Sequence, residues 1–322
     1  MGKKGLIYIV LIVFGGLIFY IILGDAFVSS SNSKNPYSYG IDEFKHVDST
    51  LIKYREVKRI KAGETKPKAI DYFKGLLGIA YANQVQVIDT AGREYATRAI
   101  EDSVTAISFA PDGRIFLGCG NKVFIYDMEK NSLDLWKEIG PSSYVTSIAF
   151  KENFIFVADV EGPRVHRYDL HGEKLNSFDG KGREDRDVGF VIPSPYFDLE
   201  IGPDGELWAA NTGLQAIENY SNEGKLRSYW GEPSYKLEGF VGCCNPAQFT
   251  ILSDGSFVTC EKGIVRIKVY HPSGKMESVV AAPSEFHTTS EAADLTVDED
   301  DRIYALDVTR KMIRKFERKS DG

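Results

Sequence analysis

The stretch VTAISFAPDGRIFLGCGNKVFIYDMEKNSL, residues 104–133, carries the pattern that decides the fold. Three short apolar runs, rich in β-branched and aromatic residues, alternate with polar turns. Such runs, bounded by turn residues, favour β-strands. The Asp112-Gly113 pair between the first two runs tolerates the positive φ that tight hairpins require. This stretch therefore predicts three consecutive antiparallel strands.

The same pattern recurs along the chain, at residues 69–95, 145–178, 196–230, 246–280 and 292–319. The third strands end at Ile88, Tyr126, Tyr168, Tyr220, Tyr270 and Phe316, which are 38, 42, 52, 50 and 46 residues apart. Four-stranded propeller blades repeat with a period of roughly 40–50 residues. A fourth strand follows most clearly at REYATRAI, KLNSF, KLRSYW and KMESVV. We predict an all-β, six-bladed β-propeller over residues 51–322.

The last repeat lacks a fourth strand, because it reaches almost to the C-terminus. Residues 51–60, LIKYREVKRI, resemble a strand and precede the first repeat without a neighbour to pair with. We predict that this N-terminal strand completes the last blade and closes the ring. Closure protects sheet edges that would otherwise be exposed.

The consensus of the repeats, aI.v.pdG.iyvaD...rv..yd..G, resembles that of NHL-repeat propellers over about residues 51–319. The first two repeats depart from it, with Tyr81 and Cys119 where the others carry an acidic or amide residue. The resemblance implies a six-bladed propeller. Proteins of this architecture include lyases and lactonases with metal-bound histidines or carboxylates around the central channel, but one fold hosts many functions.

An uncharged apolar run, GLIYIVLIVFGGLIFYIILG, occupies residues 5–24. As a helix it would span roughly 30 Å, the thickness of the hydrocarbon core of a bilayer. Lys3 and Lys4 precede it, so the N-terminus is expected in the cytoplasm and the remainder on the periplasmic or extracellular side. We predict a single-pass signal anchor over residues 1–24 in preference to a cleaved signal peptide, and a flexible tether over residues 25–50.

The charge of the chain and the motifs it lacks exclude several classes of function. The chain has 39 basic and 46 acidic residues, a formal charge of −7, without the dense basic face of a nucleic-acid-binding protein. It contains no HExxH, GxSxG or phosphate-binding glycine motif. Of its five histidines, His287 alone is predicted to lie in a loop that leads into an inner strand. No cofactor is predicted, and a binding role is favoured over an enzymatic one.

Polar residues recur just after the second strands, at Asp159, Asn211, Glu261 and Asp307. They could form a ring of ligands for a cation near the channel, or each could cap its own turn through a side-chain hydrogen bond. Recurrence from blade to blade favours the capping interpretation, because it indicates a role in building the blade.

The connections at 179–196, 231–245 and 281–291 are longer than the others and belong to neighbouring blades. We predict that they build one asymmetric binding surface, since loops concentrate function. The candidate contacts are Arg183, Arg186, Tyr196, Tyr235, Cys243, Cys244, Phe286 and His287. The sequence thus predicts a membrane-anchored, non-catalytic binding or scaffold module for a membrane or periplasmic protein or ligand. The alternative is a metal-dependent propeller lyase or hydrolase.

Two adjacent cysteines stand in FVGCCNP, residues 240–246. Outside the cytoplasm neighbouring thiols tend to oxidise, and a Cys243–Cys244 disulfide is our narrow preference, although adjacent Cα atoms lie closer than in most disulfides. Reduced buried thiols or a bridge to Cys260 are alternatives. A metal site of Cys243, Cys244, Cys260 and His287 is the least favoured, because the spacing is not that of known zinc motifs. Cys119 is predicted to lie too far away to take part.

Overall fold

The computed structural model describes residues 5, 13–16, 18–20, 44–185, 187–286 and 291–320. The chain divides into two compact units, Met1–Ile41 and Asp42–Gly322. In the first unit the described residues are helical. Most of the predicted anchor at 5–24, and residues 25–43 of the predicted tether, lie outside the described residues. None of the helices in the described ranges has both the length and the apolar character needed to cross a bilayer.

The second unit is a six-bladed β-propeller, in which the described residues form 24 strands in six four-stranded antiparallel sheets. Blade 1 contains β2 (Pro67–Phe73), β3 (Leu76–Tyr81), β4 (Gln84–Asp89) and β5 (Glu94–Ala99). Blade 2 contains β6 (Ala106–Phe109), β7 (Ile115–Cys119), β8 (Lys122–Asp127) and β9 (Ser132–Glu138). Blade 3 contains β10 (Val145–Lys151), β11 (Phe154–Asp159), β12 (Arg164–Asp169) and β13 (Lys174–Phe178).

The remaining blades are built in the same way. Blade 4 contains β14 (Leu199–Ile201), β15 (Leu207–Asn211), β16 (Ala216–Tyr220) and β17 (Leu226–Trp230). Blade 5 contains β18 (Gln248–Ile251), β19 (Phe257–Cys260), β20 (Ile267–Tyr270) and β21 (Met276–Ala281). Blade 6 contains β22 (Asp294–Val297), β23 (Ile303–Asp307), β24 (Met312–Arg318) and β1 (Tyr54–Lys61). Three 3₁₀-helices are described, at Ser49–Leu51, Thr212–Leu214 and Pro283–Glu285.

Blade 6 joins the two ends of the propeller. β1 pairs antiparallel with β24 along its whole length, from Tyr54 opposite Arg318 to Lys61 opposite Met312. The fourth strand of the last blade therefore comes from the N-terminal side, as the sequence predicts. The unit also begins earlier than residue 51, since Asp42 is its first residue and the Phe44 ring packs against Tyr235 at 5.0 Å. Residues 44–50 of the predicted tether thus belong to the propeller unit.

Aromatic side chains fill the spaces between blades. Phe116 of β7 packs edge-on against Trp136 at 5.4 Å and against Phe150 of the next blade at 4.9 Å. Trp208 likewise packs edge-on against Phe257 of blade 5 at 4.7 Å. Such offset and edge-on pairs are the favoured aromatic geometry. The sheets are therefore held face to face by large apolar contacts, which leaves loops and inner edges for function.

The strand order separates two faces. The inner strands β2, β6, β10, β14, β18 and β22 contact one another in a closed cycle around a central channel. Connections from each outer strand to the next inner strand, and from second to third strands, lie on one face, which we call the loop face. Tight turns lie on the other face, where Gly113, Gly205 and Gly255 have φ of 88°, 75° and 83°. Those angles explain the Asp-Gly pairs in the repeat, because glycine adopts them without steric cost.

Candidate binding face and central channel

Three long connections dominate the loop face. They run over residues 179–198, 231–247 and 282–293, each from the outer strand of one blade to the inner strand of the next. The equivalent connections at 100–105 and 139–144 are short. Because the long ones lead into blades 4, 5 and 6, they lie side by side and make the loop face asymmetric.

The recurring polar residues at the ends of the second strands hold these connections in place. Three of them accept a hydrogen bond from a backbone N–H of the connection that precedes their own blade: Tyr144 N to Asp159 at 2.9 Å, Val191 N to Asn211 at 2.8 Å, and Val241 N to Glu261 at 2.9 Å. Asp307 instead accepts from Arg310 in its own turn, at 3.0 Å. The predicted cap on the residue's own turn is confirmed for Asp307 and for Asp159, which also accepts from Glu161 N at 3.1 Å. For Asn211 and Glu261 it is wrong, because their side chains accept from the preceding connection instead.

A second polar side chain lies seven residues further on, in the third strand. The pairs in contact are Asp159 with His166 at 3.4 Å, Asn211 with Glu218 at 3.0 Å, and Glu261 with Lys268 at 2.8 Å. Arg314 occupies the same position relative to Asp307, and binds Glu56 at 2.7 Å and Glu285 at 2.8 Å. Sequence reasoning missed these partners, although the constant spacing of seven was a usable signal.

The most buried charges on the loop face surround Glu261. Its carboxylate accepts from the Arg266 guanidinium at 2.5 Å and from Lys268, and all three side chains are at most 1% exposed. Lys268 Nζ also donates to the backbone carbonyls of Leu237 at 3.0 Å and Gly239 at 2.7 Å. Burial lowers the pKa of Lys268 to about 8, against the neighbouring Glu261 charge, which raises it. This cluster fixes the 231–247 connection from beneath.

The cysteine-bearing segment is anchored at both ends. Gln215 donates to the carbonyl of Gly242 at 2.7 Å. The Asn245 side chain accepts from the backbone N–H of Lys262 at 2.8 Å and donates to its carbonyl at 3.1 Å. The Asn245–Pro246 peptide is cis. With Val241 held by Glu261, the segment has a defined shape before any ligand arrives.

Both cysteines of this segment are free thiols, with their Sγ atoms 3.2 Å apart. A disulfide has an S–S length of about 2.05 Å, so the predicted bond is not formed here and stays a prediction for the oxidised protein. Cys243 is exposed, whereas Cys244 is buried. The hydrogen bond to Cys244 raises the pKa of Cys243. Burial acts to raise the pKa of Cys244, but hydrogen bonds to Ser194, Cys243 and Lys262 and the Lys262 charge together lower it.

The other predicted thiol lies apart from this pair in its contacts. Cys260 is fully buried at the end of β19, where its sulfur accepts from the backbone N–H of Ala293 at 3.3 Å. Burial raises the pKa of Cys260 far above that of an ordinary thiol. In the ranges that the structure describes, no three His, Cys, Asp or Glu side chains are grouped to hold a metal. His287, the fourth predicted ligand, lies outside the described residues.

The predicted contact residues divide by exposure. The Arg183 side chain is 7% exposed and pairs with Asp185 at 2.9 Å and Glu218 at 3.4 Å. Its guanidinium also covers the Tyr229 ring at 3.7 Å. Arg183 therefore braces the 179–198 connection, where the sequence suggested an exposed contact. Arg186 lies outside the described residues.

The predicted aromatic contacts are also partly engaged. Tyr196 and Phe286 are half-buried, with Lys262 Nζ 5.2 Å from the first ring and the Arg314 guanidinium 5.0 Å from the second. Tyr235 remains 57% exposed. Val188 and Val191, which sequence reasoning missed, are 40% and 36% exposed on the 179–198 connection. Apolar side chains at these exposures are available to a partner.

The central channel opens on the loop face as a cavity of about 690 Å³ that Tyr196 helps to line. Carboxylates in or beside the inner strands accept hydrogen bonds from backbone N–H groups of the next blade around it. The contacts are Phe109 N to Asp71 at 2.7 Å, Phe249 N to Asp198 at 3.0 Å, and Ile70 N to Asp294 at 2.7 Å. An inner strand is a sheet edge whose N–H groups need acceptors. These aspartates therefore join neighbouring blades.

The channel carboxylates lie deep in the ring yet retain partial contact with the channel. Burial raises the pKa of Asp71 to about 6, although hydrogen bonds from Phe109 and Tyr72 act to lower it. Burial likewise raises the pKa of Asp198 to about 6. For Glu200 and Asp294, burial and then the Asp198 charge raise the pKa well above that of an ordinary carboxyl. The channel thus holds carboxyl groups that take up protons at a higher pH than an ordinary carboxyl group does.

Comparison with known proteins identifies the architecture. No family model matches the chain, and no curated protein is detectably similar in sequence. The resemblance to NHL repeats therefore stays a prediction. Among solved structures, one titled streptogramin B lyase matches with a TM-score of 0.57 and 16% identity, over 83% of this chain and 98% of that one.

Two further solved structures match in the same way. Virginiamycin B lyase from Staphylococcus aureus gives a TM-score of 0.53 and 18% identity, over 79% of this chain and 82% of that one. A Bacteroides thetaiotaomicron protein of unknown function gives a TM-score of 0.59 and 15% identity, over 80% of this chain and 72% of that one. At these identities the likeness shows the six-bladed propeller fold alone.

Proposed function

We propose that the protein is a membrane-anchored, extracytoplasmic binding module whose loop face holds a protein partner, without a catalytic step of its own. One observation carries the proposal: three long connections over blades 4, 5 and 6 form an asymmetric surface. Hydrogen bonds from the backbone of these connections to the buried side chains of Asn211 and Glu261 hold it in shape. Preformed loops reduce the ordering cost of binding. Exposed Val188, Val191 and Tyr235 supply apolar and aromatic contact area on that surface.

The hydrogen bonds that the polar side chains already make also favour binding over catalysis. A general base or nucleophile must be able to reach a substrate. The side-chain oxygens of Asn211 and Glu261 already accept hydrogen bonds from backbone N–H groups, and Glu261 is also paired with the buried Arg266. In the channel, Asp71, Asp198 and Asp294 each accept two backbone N–H bonds. These groups stabilise loops and blades.

The location rests on the sequence. The uncharged run at 5–24 has the length of a membrane anchor, and Lys3 and Lys4 before it favour a propeller outside the cytoplasm. Anchoring confines a binding surface near membrane complexes and raises its effective concentration there.

Site-specific photocrosslinking in intact cells tests this function. A photoreactive residue placed at 188, 191 or 235 should yield one common crosslinked protein, identified by mass spectrometry. The matched positions are Lys130, Leu170 and Glu223, which lie in turns on the opposite face. We expect no crosslink to the same protein from those turns. The same yield from both faces would contradict the proposal.

A second candidate is a metal-dependent propeller lyase or hydrolase. Two of the matched solved structures are titled as lyases, and Asp71, Asp198, Glu200 and Asp294 all line this channel. Elemental analysis of the purified protein separates the two candidates. A stoichiometric divalent metal that is lost on substitution of Glu200 would favour the enzyme.

A further inference from the structure

We propose that Cys243 and Cys244 form a reactive dithiol that undergoes thiol–disulfide exchange with disulfides reaching the loop face. This inference goes beyond the proposed partner binding, because a small disulfide suffices as the co-reactant. It also differs from a purely structural disulfide, since the pair would cycle between thiol and disulfide states.

The first support is geometric. The two Sγ atoms lie 3.2 Å apart, so a single proton can be shared between them. Contacts from Gln215, Asn245 and Glu261 hold the segment from three sides. Cys243 faces solvent, and Cys244 keeps 6% of its surface exposed beside it. The sulfur pair is therefore preformed, with Cys243 at the surface and Cys244 directly beneath it.

The second support is the charged surroundings of Cys244. Ser194 and the positive charge of Lys262 both act to lower the pKa of Cys244, and Lys262 Nζ donates to Ser194 Oγ at 3.1 Å. Tyr196 packs beneath the same ammonium group at 5.2 Å. A cation and a hydroxyl donor beside a thiol stabilise its thiolate, which is the nucleophilic form. Because the pKa of Cys244 is lowered and that of Cys243 is raised, Cys244 is the thiol of the pair that ionises first.

The same surroundings argue against a soft metal ion at this pair. A bound cation would lie next to the Lys262 ammonium and pay for like-charge repulsion. Cys260, which could have been a third sulfur ligand, has its contacts at Glu261 and Ala293. Nucleophilic chemistry at sulfur suits the site better than metal coordination does.

The exchange takes two balanced steps. The Cys244 thiolate attacks one sulfur of an incoming disulfide, forms an S–S bond to it, and expels the other sulfur as a thiolate, which takes up a proton. The Cys243 thiol then loses its proton and attacks the Cys244 sulfur, so that the first substituent leaves as a second thiol. Two cysteine thiols are oxidised to one disulfide, and the incoming disulfide is reduced to two thiols.

The second step is the harder one. A trans peptide holds adjacent Cα atoms about 3.8 Å apart, below the usual disulfide range of roughly 4.4–6.8 Å. Closing the ring between neighbours therefore opposes strain, and the mixed disulfide at Cys244 should persist long enough to isolate. A long-lived mixed disulfide suits capture of a thiol-bearing molecule at the loop face.

The test uses the full-length reduced protein in detergent with an aromatic disulfide, dithiobis-nitrobenzoate, and follows the release of the coloured thiol against pH. We expect reaction several-fold faster than that of free cysteine at pH 6, with the first adduct located at Cys244 by mass spectrometry. Lys262→Gln should slow the reaction about fivefold at pH 7 and move its pH profile upward. The hydrogen bonds of the Asn245 side chain are made to the backbone of Lys262, so this variant keeps the segment in place.

Controls separate the site from the background of other thiols. Lys275→Gln removes an exposed charge from a turn on the opposite face of the same blade and should leave the rate unchanged. Cys244→Ser should abolish the fast reaction, while Cys243→Ser should stop at a stable mixed disulfide. Circular dichroism confirms that each variant is folded. The proposal fails if Cys244→Ser still reacts quickly, or if Lys262→Gln and Lys275→Gln behave alike.

Discussion

The carboxyl group of Asp71 should make the propeller more stable as the pH falls from about 7.5. Burial in the channel raises its pKa from 3.8 to about 6, so the folded protein binds this proton more tightly than the unfolded chain does. Where the folded state binds more protons, the free energy of unfolding decreases with rising pH. The stabilisation therefore appears as the pH falls through 6 and is complete below about 3.8.

The magnitude follows from the shift. A rise of roughly two pKa units corresponds to about 3 kcal/mol of differential stability in total. Between about pH 7.5 and 4.5, roughly 2 kcal/mol of it is recovered, because the unfolded carboxyl also begins to protonate at the lower limit. The Asp71→Asn variant lacks this titration. Wild type should therefore gain about 2 kcal/mol relative to the variant, or on the order of 5 °C in melting temperature for a domain of this size.

Urea or thermal unfolding of both proteins at a series of pH values measures the difference in stability between wild type and Asp71→Asn, called the gap below. Asp89→Asn is the matched control, because the pKa of Asp89 is lowered instead of raised. The largest cause is a hydrogen bond from the backbone N–H of Arg93, in the turn that follows β4. The gap between wild type and that control should move in the opposite direction, since Asp89 loses stabilising contacts as it protonates. A gap for Asp71→Asn that stays constant, or that shrinks as the pH falls, would refute the burial argument.

Three other outcomes follow from the same contacts. A chain that begins at Ala62 lacks β1, so it should aggregate or melt far below wild type; a soluble monomer with unchanged melting would contradict closure of the ring by β1. Glu261→Gln leaves Arg266 and Lys268 buried without their carboxylate and should cost about 3–5 kcal/mol in urea unfolding, whereas Glu232→Gln on the exposed surface should cost little. Protease added to intact spheroplasts should digest the propeller, and a protected propeller would exclude export.

The repeats made the fold predictable, because each blade shows the same alternation of strands and turns and three blades share an Asp-Gly turn. The closing strand was predictable for a related reason: residues 51–60 and the last repeat each lacked a partner, and their pairing removes two exposed edges at once. The loop lengths also indicated correctly which blades carry the asymmetric surface. These features depend on local pattern and on counting strands.

The site was less predictable, because its contacts join residues far apart in sequence. Nothing local distinguishes Arg183, which is buried against Glu218, from an exposed arginine. The role of Lys262 beside Cys244 depends on a turn that meets the previous connection. The channel aspartates did leave a trace, since Asp71, Asp198 and Asp294 all fall in or beside inner strands. Their caps on the next blade appear only once the ring is closed.

The most direct test of the binding role is the affinity of the crosslinked partner, purified and titrated against variants of the two faces. Val188→Ser, Val191→Ser and Tyr235→Ala remove exposed contact area from the loop face, while Leu170→Ser and Leu175→Ser do the same away from it. Truncation of central contacts commonly costs 1–2 kcal/mol or more, about tenfold in Kd. We predict at least a tenfold loss for the combined loop-face variant at unchanged melting temperature, and no loss for the other pair. Equal losses from both sets would contradict a binding site on the loop face.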